Sequence, residues 1–427
     1  MSNAILKELP ELVAKKIISE EVAQNIKNYY QKNPDEHANK LFTIFGIIGA
    51  LLGGLGVILI LAHNWDDFSV FTKTIFSVIP LLLGQLACFF TLIKKPESVS
   101  WRESSATFLL FAIAASISLV AQVYNINGDF PKFLLTWILL SLPLIYIMRS
   151  SFVSLLCIAG ITWYCSVTNY GYPRIQNLYC WLLLLAIIPH YYSLLKELPK
   201  SNFTRFHHWF LAATVLICFP SIALKSNSLM IVGFTSLLAI YYFIGKQSFF
   251  LNLNQNRNGY WFMGKVGTLI LLFTLSFKGP WTDLQRQAME YNYVECSIYA
   301  LLFLFAGFLV FKQVQKVELL KMNPIGLAFI LITILYFICP KTEAGFLVTI
   351  TNLFILLIGV YEIRKGSETY SLYKLNFGLV CIAILIICRF FDTEMSFIIR
   401  GLLFIGIGFG FFLLNYYLLK KRKQHEK

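Results

Sequence analysis

The chain has 427 residues, of which 57% are hydrophobic, 16% aromatic and only 14% charged, with a formal net charge of +14. That balance excludes a set of soluble domains and a disordered chain, and 9 cysteines are too sparse for a disulfide scaffold. What remains is an all-α, polytopic transmembrane helical bundle.

A helix crossing the hydrocarbon core needs about 20 mostly apolar residues. Such stretches recur through the chain from residue 41 onward, and they predict fourteen spans. The first seven are 41–62, 69–93, 104–124, 132–148, 151–168, 178–195 and 207–223. The second seven are 228–245, 263–278, 297–314, 323–339, 344–363, 373–391 and 396–419. The spans 132–148 and 151–168 are separated only by Arg149 and Ser150, which demands a tight helical turn. The segment from Lys278 to Glu295, with Trp281, Asp283, Arg286 and Glu290, is expected to lie along the membrane as an amphipathic helix or lid. Four regions follow: residues 1–40 as a cytoplasmic helical hairpin, 41–150 as a membrane core, 151–419 as further spans, and 420–427 as a basic cytoplasmic tail.

Charge placement orients the bundle, because cytoplasmic loops collect Lys and Arg. With the N-terminus and C-terminus both cytoplasmic, 27 of the 36 Lys and Arg fall inside and 9 outside, whereas the 22 Asp and Glu divide 13 to 9. The basic excess therefore reads as topology reinforced by anionic lipid. No basic and aromatic stripe suited to a nucleic acid is present, so nucleic acid is not an expected partner.

The polar head is expected to form two short amphipathic helices, 4–16 and 20–31, rather than a cleavable signal peptide. Ile5, Leu9, Leu12, Val13 and Ile17 share one apolar side; Val22, Ala23, Ile26 and Tyr30 share the other. Ser19 is a natural N-cap for the second, ahead of Glu20 and Glu21, where the helix dipole favours acid. Such a hairpin either packs on the membrane surface or docks a cytoplasmic protein. The cysteines show no metal-ligand spacing and read as small apolar residues, so neither metal nor cofactor is expected. Gly46, Gly49, Gly53 and Gly56, with Gly406 and Gly410, read as helix-packing positions, which would place the first span centrally.

The densest chemistry follows the first span, in His63, Asn64, Trp65, Asp66 and Asp67. Two carboxylates, an imidazole and an indole suit a substrate or cation site, since ionisable groups at a membrane edge are costly unless used or solvated. Alternatively Trp65 is an interfacial anchor and Asp66 or Asp67 caps the second span. A second polar group, Gln122, Tyr124, Asn125 and Asp129, emerges on the same expected outer face. Here Asn127, Gly128 and Asp129 read as a turn, with Asp129 also a helix cap before Pro131. Glu103 and Arg149 fall at the inner surface, either as a gate pair or as snorkelling charges. His190, His207 and His208 have no carboxylate at metal-like spacing and read as structural.

These pieces also carry a resemblance. The chain resembles an uncharacterised family of bacterial multi-spanning membrane proteins that begin with a soluble helical pair and a glycine-rich first span closing in N-W-D. The matching residues are Asn64, Trp65 and Asp66, then Glu103 opening a span that ends in Gln122, Tyr124 and Gly128-Asp129, then Trp137 ahead of LLSLPLIYIMRS with Pro143 and Arg149. The resemblance covers about residues 5 to 150 and implies a multi-pass protein of a bacterial inner membrane, with no activity to carry over.

Three functions fit this reading. The first is a transporter or flippase for a small solute or lipid, with a polar cavity at the outer face, although no charge is expected deep within the spans. The second is a membrane enzyme on a lipid-linked substrate, glycosyltransferase-like, with Asp66 or Asp67 as base and Arg174, Arg286 or Arg389 on a phosphate. The third is a non-catalytic scaffold or sensor reporting through the N-terminal hairpin. The first is preferred, and catalysis is not expected.

Overall fold

The computed structural model describes residues 2–15, 17–32, 34–63, 68–169, 175–223, 229–251, 258–286, 292–316, 318, 321–392 and 397–425. Among them the regular structure is entirely helical. The elements are α1 (Ser2–Ala14), α2 (Glu20–Lys32), α3 (Pro34–His63), α4 (Val70–Lys94), α5 (Val99–Val123), α6 (Phe130–Ile147), α7 (Ser151–Asn169), α8 (Ile175–Glu197) and α9 (Asn202–Cys218). They continue with α10 (Met230–Ile244), α11 (Ser248–Leu251), α12 (Gly259–Thr274), α13 (Lys278–Arg286), α14 (Tyr293–Val314), α15 (Ala328–Ile338), α16 (Ala344–Glu368), α17 (Leu372–Asp392) and α18 (Phe397–His425).

Each of the fourteen expected spans falls on helix, but length and apolarity divide them. Among the described residues nine helices are long and apolar enough to cross a membrane, or ten if the pair α12 and α13, bent by 80°, counts as one span. The shortfall has physical causes. The 15 residues of α10 rise only about 22 Å, less than the roughly 30 Å hydrocarbon core. The expected span 263–278 breaks after Thr274, and α13 leaves at a steep angle with Trp281 fully buried, its indole N–H donating to the Leu275 carbonyl at 2.7 Å. The segment expected to be amphipathic thus contains a short helix pinned by its own tryptophan.

The chain divides into two compact units, one comprising Met1–Tyr164 and Leu182–Leu194, the other Cys165–Trp181 and Leu195–Lys427. In the first unit α1 and α2 form the expected pair, and the Ser19 hydroxyl accepts the Val22 N–H at 3.3 Å. The hub is α5, which packs against α3, α4 and α6 and buries Ala106, Leu110, Ala112 and Ala115. Ser116 on α5 donates to the Ser77 carbonyl of α4 at 2.5 Å, and the Trp137 indole of α6 donates to the Leu110 carbonyl at 2.8 Å. The first span is therefore not the centre. Only Gly46, against Ser104, has a close neighbour among the four glycines expected to pack, while Phe45, Leu52 and Leu59 of α3 are exposed. Small residues permit close approach without compelling it; Gly49, Gly53, Gly56, Gly406 and Gly410 all face open space.

Two glycine-tight helix pairs organise the second unit. A methyl group on Gly264 would lie 2.4 Å from the backbone nitrogen of Tyr242, and one on Gly245 would meet the Trp261 backbone, so α10 and α12 touch main chain to main chain. Asn258 locks that hairpin, donating to the Gly245 carbonyl at 2.7 Å and capping α12 through the Trp261 N–H at 3.0 Å. Gly378 of α17 meets the Gly359 carbonyl of α16 in the same way. Tyr242, Phe243, Leu272, Phe329, Leu347 and Ile355 fill the core. Apolar side chains on α4, α14 and α18, including Phe89, Leu301, Leu304, Phe409 and Phe412, stay exposed, as suits helices facing lipid.

Candidate functional site

The sequence-derived outer cluster is only partly described. Asn64, Trp65, Asp66 and Asp67 lie outside the described residues, as does Arg174, and His63 is placed only as the last residue of α3. One adjoining fact bears on them. The cap of α4 is Ser69, whose hydroxyl accepts the Thr72 N–H at 3.2 Å, so the capping role expected of Asp66 or Asp67 is already filled. Seven residues beyond Asp67, Thr74 shares a hydrogen bond of 3.2 Å with the Tyr124 hydroxyl, which ties the start of α4 to the end of α5.

Gln122, Tyr124 and Asn125 are exposed at that end of α5. The turn there is made by Asn125, with φ of 49°, and by the Ile126 N–H reaching back to the Ala121 carbonyl at 2.8 Å; Gly128 does not take a positive φ. Asparagine suits that left-handed C-cap almost as glycine does. Asp129 is the N-cap of α6, accepting the Lys132 N–H at 2.7 Å. That bond, with the Lys132 ammonium at 3.1 Å, holds its carboxyl below the usual range. A depressed folded value contributes stability above the unfolded pKa of about 3.9 and loses it as pH falls through the folded value. Exchange of the amides opening α6 should therefore stay slow from neutral pH to about 4 and speed up below. Asp129→Asn should remove that acid limb while keeping the cap, and Asp129→Ala should speed exchange at every pH.

Glu103 and Arg149 are not a pair. The Glu103 carboxylate, 2% exposed, accepts the Ser150 hydroxyl, the Ser151 N–H at 2.8 Å and the Phe152 N–H at 3.0 Å. It thereby caps α7 from α5. Arg149 is exposed and occupies the left-handed region, with φ of 47°, which reverses the chain within the expected two-residue turn.

A buried charge pair in the second unit has no signal in the residue spacing. The Lys265 ammonium of α12 lies 2.9 Å from the Glu362 carboxylate of α16, with the two side chains 5% and 4% exposed. Asn323 donates its amide to the same Glu362 oxygen at 2.8 Å, and the Lys265 ammonium sits 3.5 Å from the centre of the Phe377 ring. Both charges are six residues inside their helix ends, at Gly259 and Glu368, hence about 9 Å along each helix. The pair thus lies toward the ends of its helices and leaves the expectation about charge deep within the spans untouched. Burying two ions costs several kcal/mol each before their attraction is counted, so such pairs inside membrane helices are functional candidates by default.

Other polar groups are held structurally. Arg389 donates to the Ser276 carbonyl and lies 5.4 Å from the Phe277 ring centre. Asp392, Glu394 and Arg400 have side chains outside the described set. His207 bonds the Phe203 carbonyl at 2.8 Å, His208 packs between Phe250 and Tyr260, and His190 lies edge-on to Tyr146. Cys165, Cys180 and Cys218 are buried close to one another, a convergence of α7, α8 and α9 invisible in their sequence spacing. Among the described residues no three His, Cys, Asp or Glu are arranged to hold a metal ion.

Residues 10–154 match the family model described as predicted membrane protein (DUF2157). The matched part runs from α1 into the first turn of α7 and contains Glu103 together with the helix end it caps. It coincides closely with the stretch that resembled an uncharacterised membrane family. Neither the curated proteins nor the solved structures give a match to the chain. The chain is a membrane protein with many apolar helices, and the family description carries no activity.

Proposed function

We propose that this protein is a multi-pass transporter or flippase of a bacterial inner membrane, with both termini cytoplasmic, moving a small solute or lipid. The Lys265–Glu362 pair carries the reading. Two apolar helices each bury an opposite charge at a desolvation cost that a hydrophobic contact would avoid, an expense suited to a contact that opens and closes during transport. At the expected outer face Ser69 caps α4, so the reading keeps Asp66 and Asp67, with the exposed Gln122, Tyr124 and Asn125, for a solute-facing role. The enzyme reading loses one of its phosphate-binding candidates, because Arg389 is committed to Ser276.

The test is the double variant Lys265→Met with Glu362→Leu, in which neither charge is left unpaired. Reconstituted in liposomes, wild type should redistribute a fluorescent phospholipid between leaflets, or accumulate a solute found by screening, and the folded double variant should lose at least tenfold in rate. Equal rates would make the pair purely structural and overturn the proposal.

A further inference from the structure

Three lysines, Lys265, Lys246 and Lys374, lie on elements packed about the Glu362 carboxylate. Lys265 is paired with it directly. Lys246 lies in the turn after α10, whose Tyr242 backbone packs against Gly264 beside Lys265; Lys374, in the first turn of α17, is next to Leu375, whose backbone packs against Gly366 of α16, and one turn before Phe377, whose ring faces the Lys265 ammonium. Among the described residues neither Lys246 nor Lys374 has a carboxylate in salt-bridge contact, so the group carries two uncompensated positive charges. The nearby Arg364 and Lys365 are occupied by Glu368, at 3.0 Å and 3.3 Å.

Lys246 is half-buried, its ammonium 4.3 Å from the centre of the Tyr242 ring. Burial pushes it down to about 8, with Glu362 opposing that fall and Lys265 and Lys374 adding to it. Beside Lys374 the Tyr373 ring is 51% exposed, on a helix otherwise suited to lipid.

We infer that Lys246 and Lys374, set beside the Lys265–Glu362 pair, bind a phosphate-type anion, carried by an anionic phospholipid headgroup or free as inorganic phosphate. Lysine ammoniums recognise phosphate as point charges, and basic recesses between membrane helices are the usual setting for anionic headgroups. The third ammonium raises the local potential but is itself neutralised by Glu362, so the anion is shared between the outer two. This site stands on charge and geometry, independently of any transport activity.

The full chain in a neutral detergent is titrated with phosphatidylglycerol, phosphatidylcholine and inorganic phosphate, with retention read by native mass spectrometry. Phosphatidylglycerol should bind at least tenfold tighter than phosphatidylcholine. The variant Lys246→Gln with Lys374→Gln should abolish that preference, and Lys246→Arg with Lys374→Arg should keep it. Removing the same charge from the exposed Lys94 and Lys95 by substitution with Gln should leave the preference intact. Competition by inorganic phosphate assigns the site to the free anion; no competition assigns it to the lipid. If the double Gln variant does not fold, Lys246→Gln against Lys246→Arg makes the same comparison. Loss of preference in the Lys94 and Lys95 variant equal to that at Lys246 and Lys374, or no preference in wild type for either phosphate species, overturns the inference.

Discussion

Breaking the Lys265–Glu362 pair from one side is expected to cost about 3 to 5 kcal/mol, more than the loss of most single contacts in the molecule. The two halves are not equivalent. Glu362→Leu strands both the Lys265 ammonium and the Asn323 amide, which share one carboxylate oxygen at 2.9 Å and 2.8 Å. Lys265→Met leaves the carboxylate still accepting from Asn323, so it should be the milder change. The Phe377 and Trp261 rings, 3.5 Å and 5.2 Å from the ammonium, soften the loss of Glu362 without replacing it. In the double variant no ion is left uncompensated, and only the Asn323 amide lacks its acceptor, a residual of about 1 to 2 kcal/mol. Heating in detergent followed by fluorescence-detected size exclusion should order the proteins as wild type, double variant, Lys265→Met, Glu362→Leu, from most to least stable. A double variant worse than either single would show that the polar pair itself specifies the packing of α12 on α16.

Why this centre escaped sequence reading while the helices did not is a matter of what each signal encodes. Hydrophobic runs report length and apolarity, and each predicted span falls on helix. The two-residue connection at Arg149 and Ser150 was legible because a gap that short admits only a sharp reversal; the chain meets it with one left-handed residue followed by a serine cap. Tyr370 and Ser371 repeat the device between α16 and α17, with φ of 51° at Tyr370 and the Ser371 hydroxyl accepting the Lys374 N–H at 3.5 Å. Which face of a membrane helix meets which neighbour is not encoded in that way. Lys265 and Glu362 sit near the ends of their apolar runs and so count as inner-surface charges. Glycines set each helix pair, α10 on α12 at Gly245 and Gly264 and α16 on α17 at Gly359 and Gly378, and the meeting of the two pairs at Lys265, Glu362 and Phe377 is visible only in three dimensions. Glu103 escapes for a related reason: its partners are two backbone N–H groups and a serine hydroxyl, which leave no mark on a pattern of side-chain charges.

That backbone partnership makes Glu103→Ala the second large effect, expected at about 3 kcal/mol or more. Three donors, the Ser150 hydroxyl and the Ser151 and Phe152 N–H groups, lose their acceptor at a helix end where Ser150 is fully buried and Ser151 nearly so. A hydrogen bond to a charged group contributes about 1.5 to 3 kcal/mol, and a buried unsatisfied donor costs about 1 to 3. Glutamine keeps one acceptor oxygen but turns an amide NH2 toward donors, so Glu103→Gln should fall between wild type and alanine. Aspartate is a methylene shorter and should not span from α5 to all three groups. The loss should be local first: exchange of the Ser151 and Phe152 amides should accelerate in Glu103→Ala ahead of global unfolding, because the carboxylate is also the charge facing the positive end of the α7 dipole. Arg149→Gln separates this cap from a gate between charges. With Arg149 exposed and Glu103 already holding three partners, removing the guanidinium should leave those amides as slow as in wild type. Accelerated exchange in Arg149→Gln matching that of Glu103→Ala would restore the charge pair and refute the cap.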